Sequence, residues 1–200
     1  SEARQIAIVA NGANGLAVAR VNATDCRITS GLNIANDASD TVTFDKVRPV
    51  AIKPAPHDFD ATTLLLMGGV ARGLQIAGAL ETMLEITVAY ANERVAFEKK
   101  IAKFQAVQHN LAKLAGEAAA ALAAASSAAD AIANVTRFDD AIFLEAVSAK
   151  MRCAEAAEKG AAIAHQVHGA IGFTSEHILH RYTMRALAWR DDFGNESHWA

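Results

Sequence analysis

Two periods of hydrophobicity divide this chain. Over residues 5–50 apolar positions recur at every second place. Ile6 and Ile8 alternate around Ala7, and Val42 and Phe44 alternate with Thr41, Thr43 and Asp45. That is the pattern of strands with one face buried. Asn11, Gly12, Asn14 and Gly15 tolerate positive φ and predict a hairpin turn. About fifty residues allow four short strands, whose open edge calls for a cover or for more sheet. Pro49, Pro54 and Pro56 are all the prolines of the chain, and they predict an extended linker where helix is disfavoured.

After the prolines the period becomes 3.6. Leu74, Ala77, Leu80, Leu84, Val88, Ala91 and Val95 form one stripe of a first long helix. Gly68, Gly69, Gly73 and Gly78 weaken helix propensity in its first part. They predict close approach of another backbone or a ligand, the alternative being a loose helix start. A second helix, about 102–134, carries Phe104, Val107, Leu111, Leu114, Ala118, Leu122 and Ala125 on one side. Its alanine content favours helix and lets neighbours approach closely, so bulk has to come from other helices or another subunit. A third helix, about 139–168, places Ile142, Ala146, Ala149, Cys153, Ala157, Gly160, Ala164 and Val167 inward, with Asp139 and Asp140 at its amino end and Gly169 as its stop. The last helix begins near Thr174 or Ser175, carries Leu179, Tyr182, Ala186, Trp189 and Phe193, and stops at Gly194. The predicted fold is α+β: part of a small antiparallel β domain over 1–56, then a carboxy-terminal antiparallel four-helix bundle over 57–200.

Composition narrows the function classes. Two hundred residues with 52% hydrophobic content can bury a real core without disulfide or metal. Nineteen basic and twenty-two acidic side chains, net −3, lie interspersed and offer no cationic surface for nucleic acid. Cys26 and Cys153 lie far apart, which fits a reducing compartment and predicts the cytoplasm, with a single bridge left open. No stretch of eighteen uncharged apolar residues reads as a membrane span, and residues 1–5 have no signal-peptide character. A start without methionine reads as an incomplete chain.

His165 with His168, and His177 with His180, have a metal-ligand spacing of three. Neither reads HExxH and no third ligand is compelled, so polar or cofactor-facing histidines are expected and metal ligands are not. Asp191, Asp192 and Glu196 beside Arg185 and Arg190 read as surface ion pairs rather than an acid/base pair. There is no GxSxG, Walker or Rossmann fingerprint. Two interrupted stretches carry more chemistry. In the run from Tyr90 to Gln105, Arg94 closes one helix and Phe104-Gln105 opens the next. Arg94 can fork onto a phosphate or satisfy the last carbonyls of its own helix. In Gln166-Val-His168-Gly169-Ala-Ile-Gly172-Phe173, two glycines allow close backbone approach to a cofactor, or make a plain helix corner.

Together the two stretches resemble the carboxy-terminal helical domain of the acyl-CoA dehydrogenase family. Tyr90, Ala91, Arg94, Phe97, Ile101, Phe104 and Gln105 match one family motif, and Gln166, Gly169, Gly172 and Phe173 the other. Residues 40–49 are similar to the closing strand of the family's middle β domain, although a full member is close to twice this length. The resemblance implies that Arg94, Phe97, Ile101, Phe104 and Gln105 touch the pyrophosphate and adenosine of an FAD bound mainly by the adjoining subunit. It implies that Gln166, Gly169 and Ala170 approach the same cofactor. The match departs at Glu98 and Ala170, where glycine is usual, and at Lys100, often proline.

The family's reaction removes an α proton from an acyl-CoA thioester with a glutamate and passes a β hydride to the flavin. Counting from Gly172 to the family's glutamate-glycine pair arrives at Phe193 and Gly194. Counting back from Gly78 to the alternative position arrives at Gly68, with Gly69 where arginine is common. Neither place holds a carboxylate, so no catalytic residue is assigned, with Asp192 and Glu196 as the only nearby substitutes. The resemblance therefore implies a base-less subunit of an FAD-dependent heterotetramer whose homologous partner supplies the glutamate. The tail from Leu179 to Trp199 resembles members acting on steroid side-chain acyl-CoA. The rival expectations are a silent homodimeric scaffold and a helical interaction module.

Overall fold

The structure is a computed structural model that describes residues 3–12, 15–56, 59–134 and 137–199. The chain is α+β and divides into two compact units, Ser1–Ala61 and Thr62–Ala200.

In the first unit β1 (Gln5–Gly12) and β2 (Gly15–Asn22) pair antiparallel from Gln5↔Asn22 to Gly12↔Gly15. This brings Gly12 opposite Gly15 at the predicted hairpin, whose Ala13 and Asn14 lie outside the described residues. Ala17, Ala19 and Val21 are buried on β2 while Val18 and Arg20 face out, the expected period of two. A second pair joins β3 (Arg27–Thr29) to β4 (Thr41–Thr43), with Val42 opposite Ile28. The proline-rich stretch is not purely a linker, because Ala51–Pro54 forms β5 beside β2. The sheet order β1-β2-β5 makes β5 an edge strand, where a proline without an N–H is tolerated.

The second unit is a bundle of four packed helices: α1 (Ala61–Glu93), α2 (Gln105–Ala133), α3 (Asp140–His168) and α4 (Leu179–Asp191). A small hairpin, β6 (Val95–Ala96) with β7 (Lys99–Lys100), joins α1 to α2, and a short α5 (Glu196–Trp199) follows α4. The core joins Ile76, Leu80 and Met83 of α1 to Leu114, Ala118 and Ala125 of α2, Cys153 and Ala157 of α3, and Leu179 and Ala186 of α4. Large side chains come chiefly from α1 and small ones from α2 and α3. Alanine thus brings α2 and α3 together while α1 supplies the bulk. Each large aliphatic side chain buried this way stabilises by about 1.5–3 kcal/mol.

All eight positions predicted to face inward on α3 are buried. Its amino end is capped by Asp139, whose Oδ1 accepts from the Ile142 N–H at 3.0 Å. On α1 the buried line is Leu66, Val70, Gly73, Ile76, Ala77, Leu80, Met83, Thr87 and Ala91. Leu74 and Val88, placed inward from sequence, are 39% and 37% exposed. The helix is apolar on more than one face, so periodicity alone does not choose the face. For the same reason α1 is long and apolar enough to cross a membrane by composition, although half of its most apolar window is buried within the bundle. Val95 belongs to β6, not to the helix. The last long helix starts at Leu179 rather than Thr174, because a 3₁₀ segment over Gly169–Phe173 and an extended Thr174 intervene.

Candidate functional site

The residues singled out for cofactor contact fall into two groups joined by one aromatic contact. The Tyr90 ring, near the end of α1, stacks on His168 at the end of α3, with centroids 4.4 Å apart, and its hydroxyl donates to the His168 carbonyl at 3.2 Å. This brings Arg94, one turn after Tyr90, and Gln166, two residues before His168, to the same end of the bundle.

Arg94 is exposed, and among the described residues its guanidinium donates to no carbonyl of α1, which leaves the fork free for an anion. Its backbone N–H closes the helix on Tyr90, and its carbonyl accepts from the Ile101 N–H at 2.9 Å, which fixes the foot of the β6–β7 hairpin. Phe97 and Glu98 form the hairpin tip at φ 51 and 65. Both therefore adopt the left-handed region required by a tight two-residue turn, where glycine is the comfortable residue at position 98. Phe97 is 89% exposed and meets Phe104 edge to face at 6.2 Å, while Lys99 Nζ lies 4.3 Å from the Phe104 ring centre. Ile101 lies in the 3₁₀ turn that follows, and Gln105 opens α2.

Gln166, Gly169 and Ala170 line an open cleft of about 530 Å³ together with Glu158, His165 and Phe173. Gly169 has φ 66 and ψ −147, a backbone state reserved for glycine, and nothing lies within 4 Å of where its Cβ would be. Ala170 is not at positive φ, so alanine replaces the family's glycine without backbone strain. His165 and Phe173 were not expected to form a pair. Their rings stack at 4.1 Å and form a wall of the cleft. The spacing of His165 from Gly172-Phe173 was the available signal. His165 Nε2–H donates to Thr183 Oγ1 at 2.9 Å, because that hydroxyl itself donates to the His180 carbonyl. Nδ1 of His165 is left as a buried acceptor without a partner. Burial holds both His165 and His168 below the ordinary histidine range, so both rings are neutral at physiological pH.

A cleft beside a glycine-only corner, an orphaned ring acceptor and an unengaged guanidinium fit an extended, phosphate-bearing, aromatic cofactor such as FAD. Arg94 and Gln105 would hold one part of it, and Gln166, Gly169 and Ala170 the other.

The two places where a base was sought lie elsewhere, and they meet. A Cβ built on Gly68 would stand 2.5 Å from Cδ1 and Cε1 of Phe193, so the phenyl ring lies directly on the glycine. Gly68 is twenty-two residues before Tyr90 on the same helix, which puts the two regions about 33 Å apart at 1.5 Å rise per residue. Both substitute carboxylates are engaged in ion pairs: Asp192 with Arg72 Nε at 2.8 Å and Glu196 with Arg190 Nε at 2.9 Å. The acidic cluster is thus an ion-pair network, as its alternating signs suggested.

Beneath this region lies a buried cation to which no sequence motif points. Lys150 is 1% exposed, and its ammonium donates to the carbonyls of Arg190 at 2.5 Å and Trp189 at 3.4 Å, capping the end of α4. Burial lowers its pKa, opposed by Glu196, Asp192 and Asp191. A lysine beside the inward positions Ala146, Ala149 and Cys153 was the sequence signal.

Residues 60–195 match the family model for the acyl-CoA dehydrogenase C-terminal domain. The chain is 35% identical over 133 residues to acyl-CoA dehydrogenase IpdE2 of Mycobacterium tuberculosis, across 66% of this chain and 37% of that protein. It therefore spans little more than a third of that relative's length. Among solved structures it resembles the ChsE4-ChsE5 complex from Mycobacterium tuberculosis, with TM-score 0.86 and 24% identity over 98% of this chain and 53% of that one. It also resembles the Tcur3481-Tcur3483 steroid ACAD, with TM-score 0.80 and 23% identity over 98% and 53%.

Proposed function

Because the chain belongs to the acyl-CoA dehydrogenase family, we propose that it is the base-less subunit of a heteromeric, FAD-dependent member. In this reading residues 1–56 contribute part of the middle β domain and 57–200 the helical domain. A homologous partner supplies the glutamate that removes the α proton of an acyl-CoA thioester. The chemistry supplied by FAD, when bound, is acceptance of the β hydride.

The carrying observation is the separation of about 33 Å along α1 between the Arg94 end and the Phe193–Gly68 contact, near which, among the described residues, Asp192 and Glu196 are held in ion pairs. A cofactor held at one end does not face this chain's own base position. Arg94 would pair with the pyrophosphate of the flavin bound mainly by the partner, and Gln105 and Gln166 would orient its adenosine half. Phe97, Ile101 and Phe104 would shield that half from water, and the bare backbone of Gly169 and Ala170 would let it approach. None of these residues moves a proton; they bind, orient and exclude water.

The steroid name carried by a structural relative, together with the tail likeness, supports a bulky acyl group as substrate. The likeness to a two-chain complex supports a heterotetramer, and bacterial acyl-CoA dehydrogenase relatives support a cytoplasmic location.

Co-expression with a glutamate-bearing homologue tests the reading: the pair should co-purify and retain flavin absorbance. Arg94→Ala should weaken FAD retention about tenfold to a hundredfold, the equivalent of one charge-assisted hydrogen bond of about 1.5–3 kcal/mol. A homodimer that carries no flavin would instead identify a silent scaffold.

A further inference from the structure

The base position of this chain is filled rather than vacant. Phe193 has φ 60, a left-handed state uncommon for a bulky side chain. Such strain persists where the surroundings over-determine it. Here the Trp199 indole N–H donates to the Phe193 carbonyl at 3.0 Å, and Gly194 follows at φ 94. On the other side Asp192 is tied to Arg72 and Arg190 to Glu196, while Lys150 holds the Arg190 carbonyl. The result lays the ring on Gly68, where a Cβ would also come within 2.8 Å of Cγ. Only glycine accepts the ring there. Phe193 remains 39% exposed, so one side of it is packed and the other is an apolar surface.

Loss of a base by truncation to a small side chain would leave a hole able to take a substrate unproductively. A phenyl ring on glycine does the opposite. We infer that Phe193 is a plug: seated on Gly68, it fills the base position of this chain's own bundle and closes that bundle to acyl-CoA, so that only the partner's bundle receives substrate. This rests on the family reading of positions 68 and 193.

The test uses the complex of this chain with its glutamate-bearing partner and octyl-coenzyme A, a thioether that lacks the carbonyl and cannot be oxidised. Calorimetric titration should find one site per partner chain in the wild type. Phe193→Ala should raise this toward two per heterodimer at unchanged FAD on the partner. Phe193→Gly, which also relieves the left-handed backbone, should do the same and covers the case in which the alanine variant fails to assemble. Two sites per heterodimer in the wild type would overturn the plug, as would an unchanged number in both opening variants. A complex that retains no flavin and binds no thioether in any form would overturn the parent reading, and the plug with it.

Discussion

The glycines of α1 allow a sharp test of what holds this bundle together. Gly68 lies under the Phe193 ring, whereas a Cβ on Gly78 would meet nothing within 4 Å. Both sit inside a helix, where alanine is favoured over glycine by about 1 kcal/mol. Gly78→Ala should therefore stabilise by about that amount, a rise of roughly 2–4 °C in Tm for a unit of this size. Gly68→Ala gains the same propensity but drives a methyl into the ring. Overpacking of that kind costs about 1–3 kcal/mol, so the net effect runs from about neutral to 2 kcal/mol destabilising. In a Phe193→Ala background the clash is gone and Gly68→Ala should recover its propensity gain, a coupling energy of about 1–3 kcal/mol. Urea denaturation of the four proteins of this cycle, with Gly78→Ala as reference, measures these values. If Gly68→Ala stabilises as much as Gly78→Ala, or the coupling is below about 0.5 kcal/mol, the ring does not rest on the glycine and the argument fails.

Two further outcomes follow from the other end of the bundle. Burial lowers the pKa of His168, and of His165, below the histidine value of 6.5, so the unfolded chain takes up these protons first as pH falls. Stability should be full above pH 6.5 and decline as pH drops through it; His168→Gln should flatten the dependence of Tm on pH, and an unchanged slope would contradict the assignment. Glu98→Gly exchanges left-handed strain of about 1–2 kcal/mol for a backbone entropy cost of about 0.4–1 kcal/mol, so Tm should rise only slightly. FAD retention by the complex should improve by several-fold as a negative charge leaves the neighbourhood of Arg94, which equilibrium dialysis against FAD reads directly.

How much could be read without coordinates depended on whether the pattern of a segment had one solution. On α3 the charged Arg152, Glu155, Glu158 and Lys159 mark the side away from the core, and every expected inward position is buried, although Phe143 and Leu144 are exposed and Lys150 is buried. On α1 leucine, isoleucine, valine and methionine occur on more than one face, so the periodicity admits several answers and two of the chosen residues are exposed. The prolines predict a linker because they disfavour helix, and only the neighbouring β2 reveals the edge strand β5. The residues proposed to face the cofactor are legible as two motifs, but His165 and Phe173 become one wall only when the 3₁₀ corner folds back.

By itself the sequence determined the helical class of the carboxy-terminal part, its family, and the absence of a carboxylate at both expected base positions. These depend on residue type and spacing, which the chain states directly. Tertiary structure decided that Arg94 and Gln166 share one end of the bundle, that Asp192 and Glu196 are committed to arginines, and that Gly68 and Phe193 are one contact rather than two missing bases. Side chains 125 residues apart meet through the crossing of α1 with the end of α4 and the left-handed turn at Phe193, and local pattern carries no information about such a meeting.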